Sequence, residues 1–169
     1  KNGVEMIDML VGLAKAALAH EDSRKAGELA REAVDVFKSM DWPASRAYEF
    51  QYVGKLAELC HRAGDTEKAR TLLETASAKY TEQRESMSSF RRADRLRPLA
   101  AAYQVMGMKD AAQRYYAKAI QEGASNPNGR PQAMDLCQTC LSMAMHGFTP
   151  DDELWSKIQR TLEQLSAPW

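Results

Sequence analysis

When the chain is slid against itself by 43 residues, Leu13, Leu56 and Leu99 fall on one another. The same shift stacks Ala14, Ala57 and Ala100, then Ala26, Ala69 and Ala112, then Ala33, Ala76 and Ala119. Leu29, Leu72 and Tyr115 coincide as well, as do Gly64 and Gly107. Self-similarity at such a period constrains the fold strongly, because each repeat is a supersecondary unit that buries its apolar face only against its neighbours. The 169 residues hold four units in one domain spanning 1–169, at about 3–43, 44–87, 88–130 and 131–169, the last a diverged cap.

Each unit reads as a pair of helices. Val53, Leu56, Ala57 and Cys60 recur at intervals of three and four, which places them on one helical face. Gly64 then ends that helix, since glycine takes the left-handed conformation freely. Ala69, Leu72, Leu73 and Ala76 form the buried face of the helix that follows. Alanines bring two backbones close, and the larger side chains fill the space beside them. The spacing predicts an all-α solenoid of eight helices, near 3–20, 22–40, 44–63, 65–86, 88–106, 108–122, 131–146 and 150–165.

The punctuation supports these limits. Asp41-Trp42-Pro43 separates the first two units, with Pro43 suited to a first helical turn. Gly123 to Pro131, with two glycines and two prolines, reads as a loop. Thr149-Pro150-Asp151-Asp152-Glu153 reads as a threonine cap, a proline at the first helical position and acids against the positive helix end. Asp22 and Asp65 read as caps too. Pro98 falls inside the fifth helix and is expected to kink it or split it after Arg97. Gly147 lies 40 residues after Gly107, so the fourth unit is out of step, and Trp155 stands where an alanine is due.

Basic and acidic residues balance at 23 each. A chain with no net charge is poorly suited to a polyanionic partner, so nucleic acid is not expected. No apolar run reaches the length of a membrane span and no signal peptide is visible, so no membrane association is expected. The chain opens on Lys1, which reads as a fragment or processed form. Three cysteines, an odd number, suggest a reducing, cytoplasmic setting rather than a disulfide framework.

At Leu99, Ala100, Tyr103, Gly107, Ala112, Tyr116 and Ala119 the third unit resembles the tetratricopeptide repeat. The second unit matches through Leu56, Ala57, Gly64, Ala69 and Ala76, and the first through Leu13, Ala14, Ala26 and Ala33, with Glu21 where glycine is usual. The likeness spans roughly Met6 to Ile120. The period is longer than the usual repeat of about 34, no proline closes the second helix, and Val53 and Leu96 replace the family's tryptophan. The resemblance implies a concave groove, lined by the first helix of each unit, that binds a protein or peptide partner without catalysis. Carried over by spacing, its contact residues are Lys15, Gln51, Glu58, Arg62, Arg97 and Gln104. The lysine and asparagine set with which some members clamp a C-terminal carboxylate is missing. A regulatory or sensor module of a larger protein is the alternative.

Three features invite chemistry. Arg91, Arg92 and Arg95 form a possible basic contact patch, although interleaved acids suggest a solvated face with internal ion pairs. Cys137 and Cys140 lie on one helical face, where packing is the expected role and a metal or redox site the alternative. Among the nine methionines, Met134 and Met145 are expected to fill core gaps. Met6 and Met9 read the same way, the alternative being an exposed end helix that offers Met6, Met9 and Val11 to a neighbouring repeat or a second protomer. His20, His61 and His146 sit near helix C-termini, where positive charge is favourable. No phosphate loop, metalloprotease helix or nucleophile elbow occurs, so no catalysis, metal or cofactor is expected.

Overall fold

The computed structural model describes residues 2–42 and 48–166. Eight α-helices account for most of them: α1 (Asn2–Ala19), α2 (Ser23–Ser39), α3 (Tyr48–Arg62), α4 (Thr66–Gln83), α5 (Ser89–Val105), α6 (Lys109–Ala124), α7 (Gly129–Met145) and α8 (Asp152–Ser166). A single 3-10 turn, Arg84–Ser86, follows α4, and no strand occurs among the described residues. The start predicted for the third helix, at Pro43 and residue 44, lies outside the described residues. The chain divides into two compact units, 1–78 and 79–169, with the boundary inside α4.

One turn recurs at the end of every odd-numbered helix. Glu21, Gly64, Gly107 and Gly147 all have positive φ, at 60°, 93°, 74° and 61°. In each case the next residue donates its backbone N–H to a carbonyl five residues back: Asp22 to Ala17 (2.9 Å), Asp65 to Cys60 (2.8 Å), Met108 to Tyr103 (2.9 Å) and Phe148 to Met143 (2.9 Å). This is the left-handed closure that satisfies the open carbonyls of a helix end. In the first three turns the donating residue also caps or precedes the next helix. Asp22 Oδ1 accepts from the Lys25 N–H at 2.9 Å and Asp65 Oδ1 from the Lys68 N–H at 3.0 Å, so both predicted caps are present.

A turn without slack folds the second helix straight back on the first. The alanines that stand seven residues before and five after each of the first three turn residues are therefore in position to meet. Ala14, Ala26, Ala57, Ala69, Ala100 and Ala112 are all 0 % exposed. Leu56 and Leu99 are equally buried, whereas Leu13, their counterpart in the repeat, is 50 % exposed although Ala14 beside it is fully covered.

In the fourth turn the closure at Phe148 is followed by three more residues before α8 begins, and the cap is Asp151, whose Oδ1 accepts from the Leu154 N–H at 2.8 Å. The cap predicted at Thr149 is thus displaced by two residues: the carboxylate at 151 reaches the open amide. The late start of the last helix holds. Phe148 is buried against the Tyr116 ring, centroids 4.8 Å apart.

One alternative is decided and one boundary is corrected. Pro98 does not split α5, which runs unbroken from Ser89 to Val105. Proline inside a helix costs about 3 kcal/mol. That cost is offset here by the burial of Leu96, Leu99, Ala100, Ala101, Ala102 and Tyr103 around it. The loop at Gly123 to Pro131 is shorter than read. Gly123 and Ala124 finish α6, and α7 starts at Gly129 with Pro131 in its first turn. A Cβ at Gly123 would lie 2.6 Å from the Asp135 Cβ, so this glycine serves close approach of α6 to α7 rather than flexibility.

Glu21→Gly should raise stability in urea or thermal melts by about 0.5–1 kcal/mol, since a left-handed non-glycine residue costs more than the unfolded chain gains in freedom. Gly107→Ala should lower it by about 1 kcal/mol through backbone conformation alone, because nothing lies within 4 Å of the added methyl. Ala112→Leu should lower it by about 1–3 kcal/mol through overpacking.

Candidate interaction surface

The arginine stretch turns inward. In the second unit, Arg84 donates from Nε to Glu122 Oε1 at 2.6 Å and from Nη2 to Oε2 at 3.1 Å, and it also pairs with Glu85. Arg92 lies 3.6 Å from the same carboxylate and donates to the Met87 carbonyl at 3.2 Å. Arg97 pairs with Asp94 and donates to Asp135 Oδ1 at 3.1 Å, while the Asn126 amide donates to Asp135 Oδ2 at 2.8 Å. Arg95 is 2 % exposed. Of the patch Arg91, Arg92 and Arg95, only Arg91 is exposed, and Arg97 leaves the groove list for the same reason. The partners Glu122 and Asp135 come from α6 and α7, each 38 residues beyond its arginine, where helical spacing within α5 does not reveal them.

The two buried carboxylates respond differently to this setting. Burial alone would raise the Glu122 pKa, but Arg84, Tyr80 and Arg92 outweigh it and hold the carboxyl below its ordinary value. For Asp135 burial prevails over Arg97, and the carboxyl titrates above its ordinary value. Burial, followed by the Glu122 charge, pushes the Tyr80 phenol up.

The remaining predicted contacts are divided between the units. In the first, Lys15 and Gln51 are exposed, and Glu58 and Arg62 pair with each other at 2.9 Å. In the second, Gln104 is half-buried. Its Nε2 donates to the Gly147 carbonyl at 3.4 Å, and its Oε1 is buried without a hydrogen-bond partner. It edges a cleft of about 250 Å³ with Lys109, Asp110, Gln113, Phe148 and Asp151.

An exposed apolar row on α7 was not among the contacts read from sequence. Met134, Leu141 and Met145 lie at spacings of seven and four along α7 and are 58 %, 51 % and 73 % exposed. Leu136 and Met143 are buried on the opposite face. Met134 and Met145 are therefore not core fillers: the inner face is already occupied by Asp135, Leu136, Thr139 and Met143. In the first unit, Met6, Met9 and Leu13 form a similar stripe on α1, flanking buried Ile7, Leu10, Val11 and Ala14. Val11 thus belongs to the core, while the two methionines face outward. A helix apolar on opposite faces is the sequence signal for such a surface.

The cysteines also depart from expectation. Cys60 is buried, its thiol pushed up to about 11 by burial, then by Asp65. Cys137 is exposed and Cys140 half-buried, so the pair is not a packed core element. Among the described residues, no three His, Cys, Asp or Glu side chains gather as a metal site. No helix among them is long and apolar enough to cross a membrane.

Glu122→Gln should lower stability at pH 7 by about 1–3 kcal/mol. A carboxylate with a depressed folded pKa stabilises fully above its unfolded value of about 4.3 and loses that contribution as pH falls through the folded value. The penalty should therefore shrink in acid, which urea titrations of both proteins between pH 7 and pH 3 would measure. No protein-family model, curated protein or solved structure matches this chain.

Proposed function

We propose that the chain is a tetratricopeptide-like solenoid module that binds a protein or peptide partner and has no catalytic role. The observation that supports this most directly is α7, a helix with apolar residues on both its inner and outer faces. Three large side chains that remain half-exposed or more each forgo about 1 kcal/mol of burial, a contribution an apolar partner surface recovers. Scattered exposed hydrophobic residues need no explanation, but an aligned row is a contact surface. The contact face shifts accordingly from charged residues toward Met134, Leu141 and Met145. The paired arginines have little left to offer a ligand.

The test is affinity capture from source lysate with the native chain beside Leu141→Lys/Met145→Lys, after both are shown to melt at the same temperature. A partner retained by the native chain should be weakened at least tenfold by the variant, about 1.4 kcal/mol. Equal retention by both would move the contact away from α7.

A further inference from the structure

Met134, Cys137 and Cys140 recur at every third residue along α7. Residues three apart on a helix are neighbours, with Cβ atoms about 5–6 Å apart. That separation is wider than the roughly 3.5–4.5 Å a disulfide needs, and both thiols are free. A single ion held by two sulfurs, each about 2.3 Å from it, spans the wider gap with little strain. The donors are accessible: Cys137 is exposed, Cys140 half-buried and Met134 58 % exposed.

The donor set selects the metal. Zinc in a closed protein site takes four ligands, and among the described residues no group of three His, Cys, Asp or Glu is assembled. Two thiolates and a thioether are soft ligands, which favour copper(I) over harder ions. We propose that Met134, Cys137 and Cys140 form a surface site for copper(I), with the two cysteine sulfurs as principal ligands and the Met134 sulfur as the third. Each bound ion displaces the two thiol protons to solvent and leaves the oxidation state of the metal unchanged. Cys60, buried in α3, takes no part.

The test uses the full chain, reduced and oxygen-free, titrated into copper(I) held by a coloured chelator. The native protein should withdraw one ion per chain. Cys137→Ser and Cys140→Ser should each weaken binding about 100-fold or more, and Met134→Leu about 3- to 10-fold, with helicity unchanged by circular dichroism. Zinc(II) offered from its own chelator should stay there. The proposal is overturned if the native chain leaves copper with the chelator, if either serine variant binds as tightly, if zinc is taken in preference, or if Met134→Leu binds undiminished. None of these readouts requires a protein partner, so the outcome is independent of the interaction reading.

Discussion

The left-handed closure after α1, α3, α5 and α7 is the constraint on which the rest of the structure depends. It ends one helix with a backbone bond five residues back, and in three of four cases it starts the next helix at the same residue. With no slack in the connection, the offset of the second helix against the first is fixed by covalent geometry. Small side chains are then required at one position on each helix, seven residues before the turn and five after. Alanine occupies both positions in the first three units, and none of the six is exposed. In the fourth unit the position seven residues before the turn is Cys140, and three extra residues delay α8. The relaxed packing demand there is why Cys140 is only half-buried and why Trp155, rather than an alanine, occupies the corresponding place, 52 % exposed.

Within the second unit, charge is used for internal order. α5 carries four arginines between Arg91 and Arg97, and a helix so basic would ordinarily be a surface helix. Glu122 and Asp135 bring the opposite charge from α6 and α7, and Asn126 and Gln132 complete the arrangement, Gln132 donating to the carbonyls of Ala124 and Asn126. The close approach at Gly123 leaves room for Asp135 against α6. Burying ions is costly unless they are paired and further hydrogen-bonded; Asp135 has Arg97 and Asn126, and Glu122 has two hydrogen bonds from Arg84 with Arg92 beside them. In the first unit a lighter link does similar work: the Tyr52 phenol donates to Asp8 at 2.7 Å, with Lys55 on the other carboxylate oxygen at 3.6 Å.

Among the exposed charges, two aligned apolar rows face outward. The stripes on α1 and α7 lie on the faces turned away from each unit's own core, and Arg92 and Arg97 of α5 are paired within the unit.

The sequence by itself determined the helices and turns, because their signals are local. Glycine at 64, 107 and 147, aspartate at 22 and 65, and the three-and-four spacing of alanine and leucine act over one or two helical turns, and the helices fall where those signals place them. Glu21 was the one turn residue with the wrong chemistry, and the turn forms there all the same, imposed by the helices on either side. Tertiary structure decided which face of each helix is covered. Arg97 shares a chemistry with Arg91, yet only α7, which brings Asp135 from 38 residues further along, engages it. Met134 and Met143 look alike in sequence, and only the position of α6 and α8 separates the exposed one from the buried one. Secondary structure is a property of neighbours along the chain, whereas a surface is defined by what fails to be covered, and that depends on every other element at once.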